Sequence, residues 1–103
     1  MMYKEGDIVR LRDGRLVYLS HDEGNPLPEW SEEGAPPMPG YYSALYYVPA
    51  MGIGYADWGL FNTQEHKVVA VLTDDQVPEE MLAKIRSQRA TTAQSRQRHP
   101  IPA

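Results

Sequence analysis

Asp7-Ile-Val-Arg-Leu-Arg-Asp-Gly-Arg-Leu-Val-Tyr-Leu-Ser20 is the stretch on which the fold turns. Two β-prone runs flank Asp13-Gly14, a preferred pair for a two-residue type I′ hairpin turn in which both central residues take positive φ. Such a turn predicts a register with Arg12 opposite Arg15, Leu11 opposite Leu16, Arg10 opposite Val17 and Val9 opposite Tyr18. Residues facing each other across two strands share a side of the sheet. One side is then expected to carry Val9, Leu11, Leu16 and Tyr18. The other would carry Arg10, Arg12 and Arg15 near the turn, with Ile8, Val17 and Leu19.

Beyond the hairpin, residues 21–40 hold five prolines, three glycines and five acids, and read as a long acidic, Pro-rich loop with Trp30 as its one large aromatic group. Tyr41–Val48 (YYSALYYV) reads as a strand ended by Pro49. Residues 50–61 (AMGIGYADWGLF) suggest a turn or bent strand with Ile53, Tyr55 and Trp58 as packing groups. Lys67–Thr73 (KVVAVLT) is a continuous β-branched run and is expected to be a central strand buried on both faces. A helix is expected over about 76–89, with Pro78 in its first turn, Glu79 and Glu80 at its positive end, and Val77, Met81, Leu82 and Ile85 on one face. Residues 90–103 have no apolar periodicity and read as a flexible basic tail. The expectation is one mainly β domain over 1–89, a small barrel or strongly bent antiparallel sheet with one C-terminal helix.

Composition narrows the function classes. With 103 residues, 42% hydrophobic and 23% charged, the chain falls in the globular range. It has no cysteine, which excludes disulfides and thiolate metal sites. The start MMYKEGD lacks the apolar core of a signal peptide and no apolar run is long enough to span a bilayer, so a cytoplasmic location away from membranes is expected. The net charge of −4 conceals an acidic loop at 22–33 and a basic segment at 84–98.

Tyr3-x-x-Gly6-Asp7-Ile8-Val9 followed by a tight hairpin resembles the opening of KOW-type domains and of small YodC-like barrels, which share an SH3-like fold. The resemblance covers residues 3–20, and loosely 41–73. It implies a module that binds protein or nucleic acid rather than an enzyme. Fold alone does not assign function.

No constellation in the chain demands catalysis. His21-Asp22-Glu23 would need His66 or Asp57 to complete a metal or acid–base site, and the bland reading is a polar strand end. Gly52-Ile53-Gly54 lacks a dinucleotide fingerprint, and Ser20, Ser31 and Ser43 lack a nucleophile elbow. No catalytic residue, metal ligand or cofactor is assigned. The aromatic set Tyr41, Tyr42, Tyr46, Tyr47, Trp30 and Trp58 is the candidate partner-binding surface, since alternation sends Tyr41 and Tyr47 to one face, Tyr42 and Tyr46 to the other, and one pair is expected to be exposed. The alternative is a nucleic-acid surface built from Arg10, Arg12, Arg15, Lys84, Arg86, Arg89, Arg96 and Arg98. The leading expectation is a non-catalytic module that binds another protein. By analogy, such a compact chain also suits a phage or mobile-element accessory protein.

Overall fold

The computed structural model describes residues 3–25, 36–48, 56–63 and 67–98. Five antiparallel strands form one sheet: β1 (Ile8–Leu11), β2 (Leu16–Asp22), β3 (Tyr41–Tyr47), β4 (Ala56–Asn62) and β5 (Val68–Leu72). A 3-10 turn at Asp74–Gln76 leads into helix α1 (Glu79–Arg98). The sheet order is β4-β3-β2-β1-β5, a four-strand meander whose fifth strand returns beside the first. The sheet is not closed, and β4 and β5 are its edges.

The hairpin forms where expected but with a different turn. Ile8 pairs with Tyr18, Val9 with Val17 and Arg10 with Leu16, one residue away from the expected register. The loop holds three residues, Arg12 to Gly14: Leu11 N–H donates to the Arg15 carbonyl at 2.8 Å and Gly14 N–H to the Leu11 carbonyl at 3.0 Å. Gly14 alone takes positive φ, +94°, while Asp13 keeps an ordinary φ and accepts the Arg15 N–H at 3.1 Å. A type I turn closed by a glycine bulge needs one left-handed residue where type I′ needs two, and glycine supplies it without Cβ strain.

A one-residue slip moves every side chain to the other face. Ile8, Leu16 and Tyr18 therefore join Leu45, Tyr47, Met81 and Ile85 in a core beneath α1. Val9, Leu11, Val17 and Leu19 join Tyr42, Ala44 and Phe61 in a second core on the opposite face. The expected set Val9, Leu11, Leu16 and Tyr18 is split between the two. Two bulges, in β5 opposite Arg10/Leu11 and in β2 between Leu19 and His21, add local twist.

Three further expectations are corrected. The Lys67–Thr73 run yields an edge strand, not a central one, and Val69 (52%) and Val71 (44%) are exposed. The helix begins later than residue 76 and continues through Arg98 rather than ending near 89. No Gly or Pro interrupts residues 79–98, and Ala, Gln and Arg in the last turns favour helix. His21 and Asp22, assigned to the long loop, belong to β2. The base of that loop is closed by Glu23 N–H to the Tyr41 carbonyl (2.9 Å) and Met38 N–H to the Glu23 carbonyl (2.8 Å).

The helix start behaves as its sequence implies. Pro78 precedes the first helical residue, and its carbonyl accepts the Leu82 N–H at 2.9 Å. Met81, Leu82 and Ile85 are buried and Val77 packs against the same core. The second half of α1 has no large apolar residue facing the sheet. It is held instead by Arg89, which donates two hydrogen bonds to Asp74 (2.8 and 3.1 Å) and lies 5.7 Å over the Tyr18 ring.

Candidate functional site

The tyrosines of β3 do not divide into a buried face and an exposed one. Tyr42 (7%) and Tyr47 (3%) are buried on opposite faces, whereas Tyr41 and Tyr46 are half-buried. Both faces are core, because α1 covers one and a separate apolar cluster fills the other.

Three of the hydroxyls act as clasps. Tyr42 donates to the Tyr3 carbonyl (3.1 Å), Tyr46 to the Leu60 carbonyl (2.8 Å), and Tyr47 to the Glu80 carboxylate, which ties β3 to α1. Their pKa values are raised for different reasons. The bond to Glu80 dominates at Tyr47. Burial dominates at Tyr42, with Asp22, Asp7 and Glu5 adding repulsion, and at Tyr46, where Arg15 opposes it. Protonated tyrosine is the form that donates these bonds.

An apolar surface survives at one end of the sheet. Trp58 (49% exposed) and Leu60 (52%) project from β4 on the side that carries α1, because they pair with Leu45 and Ser43 of β3. Tyr41, whose partner is Asn62, lies on that same side and diagonal to Leu60. The helix overlies the middle of the sheet and leaves this end open. Tyr41 and Trp58, from the expected aromatic set, thus lie on one side of the sheet with Leu60 between them in register. Tyr42 and Tyr47 are buried instead, and Trp30 lies outside the described residues. Leu60 was missed; its signal is the Trp58-Gly59-Leu60 spacing, which puts two large apolar groups on one side of a strand.

The basic set is dispersed. Arg10 and Arg15 lie on opposite sides of the sheet and Arg12 sits in the turn, so the three hairpin arginines do not share a face. Arg15 pairs with Asp13 (2.9 Å) and rests 5.6 Å over Tyr46. Arg86 pairs with Glu79 (3.2 Å) and Arg89 with Asp74. Lys84 is exposed on α1, and the Arg96 and Arg98 side chains lie outside the described residues.

His21 is buried and its Nε2 lies 2.7 Å from Glu23, which also accepts the Ser43 hydroxyl at 2.8 Å. Among the described residues no group of three or more His, Asp or Glu is placed to hold a metal ion. His66 and the Asp57 side chain, needed to complete that site, lie outside them, as do Gly52-Ile53-Gly54 and Ser31. A crevice of about 260 Å³ separates the second half of α1 from β2, lined by Glu5, Tyr18, Ser20, Arg89 and Thr92 among others. The buried Ser20 and Thr92 hydroxyls have no protein partner there. Such a polar space is large enough for ordered water. No described helix is long and apolar enough to cross a membrane.

Comparison with known protein families, with characterised proteins and with solved structures finds no match for this chain.

Proposed function

We propose that this chain is a non-catalytic interaction module that binds another protein through the open end of its sheet. One observation carries the reading: Trp58 and Leu60 project from the same side of β4, each about half exposed (49% and 52%), with Tyr41 diagonal to Leu60. Aromatic residues in a contiguous exposed patch are characteristic of protein-binding surfaces. The SH3-like resemblance belongs to this reading as a proposal: the strand order, a meander with the last strand returned beside the first, is one that such a fold can take. The nucleic-acid alternative has less support, because Arg15, Arg86 and Arg89 already face carboxylates and Arg10 and Arg15 diverge.

The test is affinity capture from the native cell with the wild-type chain and with Trp58→Lys/Leu60→Lys. A protein recovered by the wild type and lost with the variant is expected. Recovery of the same proteins by both would sink the reading. Titration of labelled DNA and RNA at low salt checks the alternative, since phosphate contacts are strongest there.

A further inference from the structure

The second edge of the sheet, β5, points to a different occupant. The Arg12 N–H to Lys67 carbonyl bond (3.0 Å) and the pairings Arg10–Ala70 and Ile8–Leu72 set which backbone groups of β5 face β1. In β1 the Leu11 N–H bonds the Arg15 carbonyl at 2.8 Å, so Leu11 and Val9 direct their backbone toward β2 while Arg10 and Ile8 direct theirs toward β5. Ala70 and Leu72 therefore pair inward, and Val69 and Val71 turn their N–H and C=O groups to the free edge. The same two residues carry exposed side chains, 52% and 44%. An edge of β-branched residues whose outward backbone groups have no partner among the described residues is a template for another strand.

The sequence of this edge, Lys67-Val-Val-Ala-Val-Leu-Thr-Asp-Asp75, is complementary to itself when reversed. With a two-fold axis at Ala70, Val69 of one copy faces Val71 of the other, and the two outward pairs of backbone groups meet in hydrogen-bonding register. Alanine at the axis allows the close approach of a non-hydrogen-bonded pair. No charge lies within Val68–Leu72. The single cation, Lys67, comes beside Thr73 and the Asp74–Asp75 turn of the second copy rather than against its own equivalent. The β5 bulge leaves Val69 without a partner in β1, so the residue that the first ladder skips is one of the two that meet the second copy.

We infer that β5 pairs antiparallel with β5 of a second copy, joining the two five-stranded sheets into one continuous sheet. This surface is separate from the Trp58–Leu60 patch, so either can fail alone. A short strand edge buries less than the roughly 1,200–2,000 Å² of stable interfaces, so the dimer is weak and concentration-dependent.

Sedimentation velocity over a wide concentration range tests it. The wild type is expected to show a reversible monomer–dimer equilibrium. Val69→Lys and Val71→Glu should each weaken it by about tenfold or more. The double variant Val69→Lys/Val71→Glu should recover dimerisation, because each lysine then faces a glutamate across the axis. Circular dichroism checks that the variants fold. Independently, Ala70→Cys in this cysteine-free chain should form a disulfide-linked dimer under mild oxidation, and Lys84→Cys on the exposed side of α1 should not. A wild type that stays monomeric, a dimer indifferent to both single substitutions, a double variant no tighter than the single ones, or an Ala70→Cys chain that crosslinks no faster than Lys84→Cys would each overturn the inference.

Discussion

The two edges of this sheet are built from similar material and end differently. Each shows two half-exposed apolar side chains, Trp58 and Leu60 on β4 and Val69 and Val71 on β5. On β4 the pairing with β3 is regular over seven residues, Phe61 anchors the strand in the second core, and the Tyr46 hydroxyl reaches across to the Leu60 carbonyl. On β5 the ladder is bulged, and the strand rests on Leu72 and Val68, both only partly buried. The lesson is that exposure of apolar side chains does not by itself make an edge available. What the backbone groups beside them are doing decides it. The proposed contact of β4 accordingly uses its face, beside a side-chain clasp, whereas the contact inferred for β5 uses its outer ladder, unpaired among the described residues, by strand addition.

This contrast can be broken first at its anchors. Phe61→Ala removes a fully buried ring (0% exposed) from β4 and should destabilise the protein by about 3–5 kcal/mol in urea unfolding. Val71→Ala should cost under about 1 kcal/mol, because much of that side chain is already in water. Equal losses would mean that the two edges are anchored alike.

A smaller effect is expected at Gly14, whose φ of +94° has open space where a Cβ would stand. Gly14→Ala therefore meets backbone strain alone and should cost about 1–2 kcal/mol by the same measurement. A negligible cost would show that the turn relaxes, and that the register both edges depend on is held elsewhere.

The clasps can also be opened by pH. Tyr42, Tyr46 and Tyr47 all have raised pKa values in the folded chain. A group whose folded pKa lies above its unfolded value binds its proton more tightly when folded. The stability it contributes is fully present below about pH 10 and is lost as pH rises toward the folded values. Unfolding midpoints should fall in that window. Hydrogen exchange should rise in β3 and β4 before β1 and β5, as β5 carries no tyrosine. Tyr47→Phe should remove part of the alkaline loss.

The smallest effect belongs to the exposed ion pair behind β5. The Arg89 hydrogen bonds hold the Asp74 pKa below its ordinary value of 3.8. That contribution is present above the ordinary value and fades as pH falls through the lower folded one. With both side chains substantially in solvent, Asp74→Asn should cost under about 1 kcal/mol at neutral pH and nothing once the carboxylate is protonated.

Part of this organisation was legible in the residues. The hairpin around Asp13-Gly14 and the strand over Tyr41–Tyr47 could be read from turn chemistry and β-propensity. The helix start could be read from Pro78, Glu79 and Glu80. Of the aromatic surface, the division of the tyrosines between two sides of β3 could be read, while the burial of both Tyr42 and Tyr47 could not. Alternation tells which tyrosines share a side, but not that both sides have a cover. The expected grouping of the hairpin arginines changed for a related reason: a turn with one more residue sends Arg10 and Arg15 to opposite faces.

The sequence by itself determined the strands at the hairpin, at Tyr41–Tyr47 and at Val68–Leu72, the start of the helix, and that a tight turn at Asp13-Gly14 joins β1 to β2. These outcomes rest on local preferences that each segment carries wherever it lies. Tertiary structure alone decided the register and the edges. Nearly every hairpin position away from the turn is apolar, so a slip of one residue exchanges two apolar faces and leaves no local penalty. The Val-rich run at 68–72 likewise reads the same whether one strand pairs with it or two. Only the placement of α1 over one face and of Phe61 in the other core selects the arrangement, and it leaves β5 at the edge of the sheet where its sequence suggests the middle.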